Sequence, residues 1–597
     1  MYKEEQLSKA YDSKIMMRLL VFAKPYWFSL SVCIILVFLI TITNLAQPYI
    51  VKLAIDNYII GSSPTDVIFN KSISGLTSLS IIFLFFIIAR FVLSYIQVYL
   101  LNYVSNKIIF NIRQELFSHL QNMSLSFFDK NPIGRLVTRV TNDTETLHEM
   151  YSGVLVNLFN DIFLLIGIVV VMIHLDAKLA LLSFIVIPII IVSTLIFRIK
   201  ARKVYRIIRL KIAKLNSSLN ENLTGMKTIH VFKRERQQFE KFDSISKELL
   251  AADKNEIFIF SIFRPSMEIV RSLGIAIIIW YGGGQALQGN MPFGVLFAFI
   301  DYIKRFFKPI NDMTEKVNIL QSAMASSERI FALLDKRPAI TSPSNAQDIK
   351  KLTGSIEFKN VWFAYNENEW VLKDISFKIN PSESIAFVGA TGAGKSSIIN
   401  LIGRLYDIQR GEILIDGINI KNIPLGTLRK NIGVVLQDVF MFTGTIKDNI
   451  ILNNKSISFG QIESVANHVN ATAFINNLPL KFNEPVMERG VNFSTGQRQL
   501  IAFARALILE PSILILDEAT SNIDTETEGL IQDAIAKIIK GRTTIAVAHR
   551  LSTIQNCDKI IVLSNGKIKE VGNHQELLRN GSAYYKLYQL QYKEQTT

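Results

Sequence analysis

Gly389-Ala-Thr-Gly-Ala-Gly-Lys395-Ser396 is the stretch of sequence that decides the fold of this chain. It fits the spacing G-x-x-x-x-G-K-S, in which glycines let consecutive backbone N–H groups surround phosphate oxygens, the lysine neutralises them and the serine hydroxyl reaches Mg²⁺. The apolar run 384–388 before it predicts a buried strand, and residues 397–402 after it predict a helix whose positive N-terminus faces the phosphates. Because strand, loop and helix occur in this order, a nucleotide-binding loop is favoured over a chance match.

Composition divides the chain into a membrane part and a soluble part. The chain has 597 residues, 49% of them hydrophobic, and a mean hydropathy of +0.28, with the apolar excess before residue 310. A chain of this length holds several domains, and this hydropathy is high for a soluble enzyme. The two cysteines, Cys33 and Cys557, have no metal-ligand spacing and cannot form a disulfide framework, so we expect ordinary core residues.

The formal net charge is +15, and the basic residues are distributed as expected for a membrane protein. Eight Lys or Arg residues and no acidic residue lie between Arg198 and Lys214, directly after an apolar segment. The positive-inside rule predicts such a cytosolic flank, which also attracts anionic lipid headgroups. Nucleic acid is the weaker interpretation, because aromatic residues are not interleaved with these charges as a base-stacking surface requires. We therefore predict the lipid bilayer, and no nucleic acid, as a partner.

Six segments are long and apolar enough to cross a bilayer, for which about 20 residues are needed. They are Phe28–Ile50, Leu76–Leu101, Tyr151–His174, Leu179–Phe197, Ile257–Tyr281 and Phe293–Ile310. Residues 15–27 predict an amphipathic helix at the membrane interface, with a soluble lead-in as the alternative. The charged N-terminus lacks the apolar core and cleavage site of a signal peptide, so we expect none to be removed.

The segments between these spans alternate in length and charge. Residues 56–71, 174–178 and 282–292 are short and hold few basic residues, whereas residues 102–150 and 198–256 are long, polar and helical in pattern. The long segments are therefore expected in the cytosol. The predicted localisation is the plasma membrane, in a multi-pass protein whose N-terminus and nucleotide-binding domain are cytosolic.

Several charged residues fall inside the predicted spans, where ionisable groups are costly and often line a pathway. Among them are Arg90, Asp161, Glu268, Arg271, Asp301, Lys304 and Arg305. The acids and bases among the last five are three or four residues apart and can neutralise each other on one helical face. Arg90 and Asp161 have no such neighbour, so we predict that they face a cavity. The sequence leaves open whether they pair with each other.

A soluble domain follows the last span. Between Asp335 and Leu352 the sequence loses its periodicity and contains Pro, Ser and Asn, which is typical of a linker. Short apolar runs, such as residues 513–516 and 544–548, then alternate with helical stretches, as in the sheet of a P-loop domain. We predict a multidomain membrane protein with an all-α six-helix transmembrane domain over residues 1–330. A linker over 331–352 and an α/β P-loop NTPase domain over 353–597 follow it.

Three further motifs make a resemblance to one family specific. Asp517-Glu518 follows a buried run, Val547-Ala-His549-Arg550 follows another, and Asn492-Phe-Ser-Thr-Gly-Gln497 reads as an altered nucleotide-gripping motif. The chain resembles a half-size exporter of the ATP-binding cassette (ABC) family, with one six-span membrane domain before one cassette. The resemblance covers nearly the whole chain and implies an ATP hydrolase coupled to transport, with ATP and Mg²⁺ as cofactors.

The resemblance also assigns residue roles. It implies that Tyr365 stacks on adenine, with a core position in a strand as the alternative, and that Gln437 lies beside Mg²⁺ and senses the membrane domain. Glu518 would polarise the attacking water and His549 would contact the γ-phosphate, so that Glu518, His549 and Gln437 are catalytic. The implied metal ligands, partly through water, are Ser396, Gln437 and Asp517. The implied nucleotide contacts are Tyr365, Gly389, Ala390, Thr391, Gly392, Ala393, Gly394, Lys395, Ser396, Ser397, Gln437, Asp517, Ser494, Gly496 and Gln497.

Three segments resemble the elements that connect cassettes to membrane domains in such exporters. Glu488-Arg489-Gly490 resembles the loop that links the cassettes to the intracellular helices. Residues 127–143 and 221–232 resemble the first and second coupling elements, although Asn-Pro and Gly turns also occur in plain helix–loop–helix connections.

The signature motif departs from the family's usual Leu-Ser-Gly-Gly-Gln. Here it reads Phe493-Ser494-Thr495-Gly496-Gln497, and Thr495 puts a β-branched side chain where the backbone approaches the γ-phosphate. In this family the signature acts on the ATP that the opposite subunit holds. We therefore favour a heterodimer with a second half-transporter subunit over a homodimer with a tolerated variant. Asn522-Ile523, where the family commonly has Ala-Leu, points the same way.

The leading hypothesis is ATP-driven export or flipping of an amphipathic drug, lipid or peptide by alternating access, in which ATP favours a closed cassette dimer. The alternative is an ATP-gated regulatory or channel-like membrane protein, which the presence of Glu518 and His549 disfavours. A soluble cassette protein conflicts with the six spans, and an importer subunit is disfavoured because importer membrane domains usually lie on separate chains. The sequence does not identify the substrate.

Overall fold

The computed structural model describes residues 13–60, 66–342, 351–367, 369–517, 525–547 and 554–596. The chain divides into two compact units. The first consists of Met1–Leu120 with Gly134–Lys336, and the second of Gln121–Ile133 with Arg337–Thr597. The short segment 121–133, which overlaps the first predicted coupling element, thus belongs to the same unit as the nucleotide-binding loop.

Helices make up the described part of the chain before residue 335. They are α1 (Ser13–Ala23), α2 (Trp27–Ala54), α3 (Asp66–Gln121), α4 (Leu125–Lys130), α5 (Ile133–Thr138), α6 (Thr144–Glu149), α7 (Val156–Leu175), α8 (Ala177–Ser183), α9 (Val186–Thr224), α10 (Met226–Val231), α11 (Glu235–Ile277), α12 (Gly283–Leu287) and α13 (Phe293–Leu334). The predicted linker 331–352 includes the last turn of α13. Helices suit an apolar chain in lipid because they satisfy every backbone polar group internally.

Among the described residues, four helical stretches are long and apolar enough to cross a membrane. They are Ser13–Ile59, Gly75–Gln121, Ile133–Leu175 and Ala177–Thr224, and they contain the first four predicted spans. The fifth and sixth predicted spans lie in α11 and α13, which carry charged residues. Glu268 pairs with Arg271, and Asp301 pairs with Arg305 at 2.9 Å, as their spacing predicts.

Asp161 is an exception to the predictions for intramembrane charges. Asp161 is 8% exposed, and its carboxylate accepts a hydrogen bond from Nζ of Lys316 on α13. The prediction that Asp161 faces a cavity is therefore wrong. A buried carboxylate needs such a partner, because an unpaired charge in an apolar interior is very costly. Spacing could not reveal this partner, since Lys316 lies after the last predicted span and 155 positions along the chain.

The first helix has the two-sided character predicted for the membrane interface. Leu19 is buried, and its carbonyl accepts a hydrogen bond from the hydroxyl of Tyr151 at 2.7 Å. Arg18 binds both carboxylate oxygens of Asp335 at 2.7 and 2.8 Å. On the other side, Met17 and Val21 are 65% and 61% exposed, so an apolar surface remains open for lipid.

Strands and helices alternate in the second unit. The strands are β1 (Ile356–Ala364), β2 (Trp370–Ile379), β3 (Ser384–Val388), β4 (Arg410–Ile415), β5 (Ile418–Asn419), β6 (Ile432–Val435), β7 (Gly444–Thr445), β8 (Pro485–Val486), β9 (Ile513–Asp517), β10 (Thr543–Val547), β11 (Lys559–Ser564) and β12 (Lys567–Gly572). The helices after residue 390 are α14 (Lys395–Ile402), α15 (Leu425–Lys430), α16 (Ile446–Ile451), α17 (Phe459–His468), α18 (Thr472–Asn476), α19 (Thr495–Leu507), α20 (Thr525–Ile539), α21 (His574–Arg579) and α22 (Ala583–Thr596).

The described part of this unit has two main sheets and a two-stranded sheet of β7 and β8. The larger has the order β12-β11-β3-β10-β9-β6, in which β11, β3, β10, β9 and β6 run parallel and β12 runs antiparallel at the edge. The smaller is antiparallel, with the order β2-β1-β4-β5. The central strands β3, β9 and β10 are buried along nearly their whole length, as is typical of parallel strands covered on both faces, and this pattern confirms the predicted P-loop sheet.

Candidate nucleotide-binding site

The site lies at the carboxyl ends of the parallel strands. Val547 of β10 is paired with Asp517 of β9 on one side and Phe387 of β3 on the other. The next strand pairs Val435 of β6 with Leu516 of β9. The phosphate-binding loop after β3, Asp517 at the end of β9 and Gln437 just after β6 are therefore at one edge of the sheet, where open α/β sheets bind ligands.

Glycine makes the conformation of the phosphate-binding loop possible. Gly389, Gly392 and Gly394 have φ angles of +155°, +82° and +104°, which L side chains rarely adopt. A Cβ atom on Gly389 would lie 2.2 Å from the carbonyl oxygen of Leu563. A Cβ atom on Gly392 would have no atom within 4 Å, so the loop is open there. These residues form a cradle that a phosphate group fits.

Lys395 is the first residue of helix α14, and its side chain binds backbone carbonyl oxygens of the phosphate-binding loop. Its residue is 6% exposed, and its Nζ donates hydrogen bonds to the carbonyl oxygens of Gly389 at 2.6 Å and Ala390 at 3.2 Å. Gly394 is the N-cap of α14, and no side chain caps the helix. The first backbone N–H groups of α14 can therefore bind an anion, together with the lysine ammonium.

Tyr365 lies beside the phosphate-binding helix. Its hydroxyl is 3.1 Å from Oγ of Ser397 and accepts a hydrogen bond from Nδ2 of Asn400 at 3.3 Å. Tyr365 is 39% exposed just after the end of β1, whereas Phe363 within β1 is 1% exposed and belongs to the core. Partial exposure next to α14 suits an adenine-stacking residue better than a core position.

Sequence reasoning missed Tyr406. Its ring lies edge-on to Tyr365, with a centroid distance of 5.0 Å and an interplanar angle of 89°. Its hydroxyl donates a hydrogen bond to Oδ2 of Asp129 at 2.5 Å, and burial together with this carboxylate raises the pKa of Tyr406 above its ordinary value. No local sequence signal marks Tyr406, because its partner Asp129 lies 277 positions away, in the first predicted coupling element.

The signature residues lie at a different helix N-terminus, that of α19. Ser494 is the N-cap, and its Oγ accepts a hydrogen bond from the backbone N–H of Gln497 at 3.2 Å. Oε1 of Gln497 accepts one from the backbone N–H of Ser494 at 3.0 Å, which completes a capping box. Gly496 is buried behind them.

Thr495 is the first helical residue of α19 and has ordinary helical backbone angles. Its Oγ1 accepts a hydrogen bond from Nη2 of Arg498 at 3.3 Å. The replacement of the family's glycine therefore causes no backbone strain in this chain. Its consequence is the added side chain at a helix N-terminus, where a phosphate would approach.

Two predicted catalytic residues, Glu518 and His549, lie outside the described residues. So does Asn522-Ile523. The described strands end one residue before Glu518, at Asp517 of β9, and two residues before His549, at Val547 of β10, and these two end residues are paired neighbours. The roles of Glu518 and His549 therefore remain predictions. The two strands that precede these residues end side by side in the sheet.

The described residues offer oxygen ligands of the kind that Mg²⁺ prefers. Ser396 and Gln437 are exposed, and Asp517 is partly exposed at the end of a strand whose other residues are buried. In the described part of the chain, no group of three or more His, Cys, Asp or Glu residues could hold a metal ion. This donor set fits Mg²⁺ held with a nucleotide, because such sites usually combine one or two carboxylates with phosphate oxygens and water.

Comparison with known proteins follows the two units of the structure. Residues 30–310 match the family described as the ABC transporter transmembrane region, and residues 372–521 match the family described as ABC transporter. The chain is 40% identical to a Bacillus subtilis protein named as a probable multidrug resistance ABC transporter, over 83% of this chain and 74% of the relative. It is 35% identical to an ATP-dependent lipid A-core flippase of Syntrophus aciditrophicus, over 97% of this chain and 95% of the relative.

A solved structure agrees with the sequence comparisons. The fold is similar to that of a bacterial Atm1-family ABC exporter with ATP bound, with a TM-score of 0.78 and 25% sequence identity. The similarity covers 97% of this chain and 99% of the other. The likeness therefore extends over both the helical part and the nucleotide-binding part.

Proposed function

This chain belongs to the ABC transporter family as a half-size bacterial exporter that couples ATP hydrolysis to export, and we propose that it moves an amphipathic substrate together with a second, non-identical half-transporter subunit. The proposal that ATP drives export rests on one observation. The phosphate-binding loop, Gln437 and Asp517 all lie at one edge of the large sheet. The chain joins this site to a unit of long apolar helices.

The residues at this edge divide the work of ATP hydrolysis. The open loop around Gly392 and the N-terminus of α14 bind the phosphates, and Lys395 neutralises them. Ser396, Asp517 and Gln437 would hold Mg²⁺, which would supply charge stabilisation for the phosphoryl group. Glu518 positions the attacking water and accepts its proton, and Tyr365 orients the base. Export follows because ATP binds the closed arrangement of two cassettes more tightly than the open one.

The substrate class follows from the relatives and from the spans. The relatives named above include a probable multidrug resistance transporter and a lipid A-core flippase, and lipids are amphipathic. The described spans likewise expose many apolar and aromatic side chains and a few polar ones. Inverted membrane vesicles test the proposal: a fluorescent drug or a fluorescent lipid is expected to accumulate with ATP and not with a non-hydrolysable analogue. Equal accumulation with both nucleotides would instead support ATP gating.

The presence of threonine at position 495 in the signature motif supports a heterodimer. The side chain added at the N-terminus of α19 faces the ATP of the opposite subunit in a head-to-tail cassette dimer. A homodimer would carry this altered contact in both ATP sites, although the chain keeps Glu518. In a heterodimer, Lys395, Asp517, Glu518 and His549 serve one site that a partner's ordinary signature completes. The second site, completed by Thr495, is the weaker one.

We also propose a plasma-membrane location with six crossings and a cytosolic cassette. The topology predicts that a cysteine at Gly283 is labelled by a membrane-impermeant maleimide on intact cells, whereas one at Thr224 is not. Gly283 has no atom within 4 Å of a built Cβ, so the substitution fits without steric conflict. The native cysteines give a low background because Cys33 and Cys557 are 0% and 6% exposed.

Permeabilised cells provide the control for this labelling, because both introduced cysteines should then react. Labelling of both positions on intact cells, or of Thr224→Cys alone, would contradict the proposed six-span orientation.

A further inference from the structure

Arg90 is an arginine in the middle of an apolar span with no partner in the described structure. It lies on α3 between Leu76 and Leu101, and its side chain is exposed. None of its guanidinium N–H groups donates a hydrogen bond to, or forms an ion pair with, any residue that the structure describes. Arginine remains protonated even where burial is unfavourable, so its five donors and its charge need a partner in the membrane.

A second arginine, Arg305, lies in the sixth predicted span and has its own partners. The electrostatic field of Arg305 acts on Arg90, so the two like charges repel each other. The donors of Arg305 are occupied: Nε binds Asp301 at 2.9 Å, Nη1 binds the carbonyl of Asn44 at 2.9 Å and Nη2 binds Gln47 at 3.3 Å. Asp301 therefore neutralises Arg305, and no described acidic residue neutralises the positive charge of Arg90.

An amphipathic groove begins at the residue after Arg90. It has a volume of about 650 Å³ and runs along α3, where its aromatic side chains recur every fourth residue. Those side chains are Phe91, Tyr95, Tyr99 and Tyr103, which are 70%, 65%, 65% and 52% exposed. Ser94, which also lines the groove, lies one helical turn after Arg90 and so neighbours it on the helix surface.

We propose that Arg90 and this groove bind an amphipathic substrate that carries an anionic group, with the anion at Arg90 and the apolar body along the aromatic side chains. The proposal deepens the proposed function and rests on it, since it names the charge class of the exported substrate. A carboxylate, sulfonate or phosphate ester would satisfy the guanidinium donors and relieve the repulsion from Arg305. A cationic substrate would place a second positive charge beside Arg90, with no described acid to compensate either charge, and is therefore disfavoured.

Three probes with one apolar body and different head groups test the charge preference directly. They are pyrenebutyrate, pyrenebutanol and pyrenebutyl-trimethylammonium. The full chain is purified with any bound subunit and placed in nanodiscs without nucleotide, and the dissociation constant of each probe is measured from pyrene fluorescence. We expect pyrenebutyrate to bind about tenfold more tightly than the other two, as one hydrogen-bonded charge pair supplies.

Two variants assign this preference to Arg90. Arg90→Gln is expected to lose the preference for pyrenebutyrate while its affinity for pyrenebutanol stays the same, which also shows that the variant is folded. Arg271→Gln is the matched control, because Arg271 is also an arginine in a predicted span but pairs with Glu268. Arg90→Lys keeps the charge and is expected to keep a preference for the anion.

Equal affinity of the wild-type chain for all three probes would overturn the proposal, and so would an unchanged preference in Arg90→Gln. Failure of export itself has a different signature. If pyrenebutyrate binds selectively through Arg90 but no substrate accumulates in vesicles with ATP, the proposed function fails while the charge-selective site stands. If a substrate accumulates in vesicles with ATP but the chain shows no preference for pyrenebutyrate that depends on Arg90, export stands and the anionic site is refuted.

Discussion

Replacement of Glu518 by glutamine is expected to leave ATP bound and to reduce ATP hydrolysis by about a hundredfold or more, which is the usual contribution of a positioned general base. Glu518 directly follows Asp517, the last residue of β9, at the sheet edge where the phosphate-binding loop lies. Glutamine keeps the size of the side chain but cannot accept a proton from the attacking water. The phosphate loop and Asp517 remain, so the affinity for nucleotide should stay within a few-fold of the wild-type value. Phosphate release and equilibrium binding of a fluorescent ATP analogue measure the two quantities.

Lys395→Ala is the contrasting variant, because it should lose nucleotide affinity itself. Lys395 is at the start of α14, and its Nζ reaches the carbonyl oxygens of the same loop that surrounds the phosphates. Removing the ammonium leaves the phosphate charge without its principal cation. If Glu518→Gln hydrolyses ATP at the wild-type rate, or if Lys395→Ala binds ATP normally, the assignment of this edge as the hydrolytic site is wrong.

The nucleotide-binding loop could be predicted from sequence because its physics is local. Gly389, Gly392 and Gly394 need backbone angles that other residues resist, and an apolar strand and a helix flank them in sequence. Asp517 could be predicted for the same reason, since a buried run of four residues holds it at the end of its strand. Such features are encoded within a window of a few residues.

Interactions between distant segments could not be predicted in this way. Asp161 and Lys316 are 155 positions apart, and Tyr406 and Asp129 are 277 positions apart, so neither pairing leaves a trace in local spacing. Asp129 belongs to the segment 121–133, and Tyr406 packs against Tyr365. The hydrogen bond between Tyr406 and Asp129 therefore connects this segment to the neighbourhood of Tyr365. The helical pairs Glu268–Arg271 and Asp301–Arg305 were predictable because their members share one helical face.

The chain purified without a partner subunit is expected to hydrolyse ATP at least about tenfold more slowly than the assembled exporter, because both of its ATP sites would be completed by an altered signature. The physical reason is the side chain of Thr495 at the N-terminus of α19, which in the proposed cassette dimer would stand where the γ-phosphate of the opposite subunit approaches backbone donors. Co-expression of the chain with a half-transporter that carries an ordinary signature should restore turnover. ATPase activity of the two preparations, compared at equal concentrations of this chain, provides the measurement.

A pair of substitutions then separates the two sites of the assembled exporter. In the Glu518→Gln background, the remaining turnover comes from the site on the partner's phosphate loop, which Thr495 completes. Thr495→Gly in this background should therefore change the remaining turnover, whereas it should alter hydrolysis at the site containing Glu518 very little. Thr472→Gly is the matched control, since Thr472 also begins a helix of the same unit, α18, and loses the same helix propensity. Fast, substrate-stimulated turnover by the single purified chain would refute the heterodimer, because a homodimer would then tolerate Thr495 in both sites.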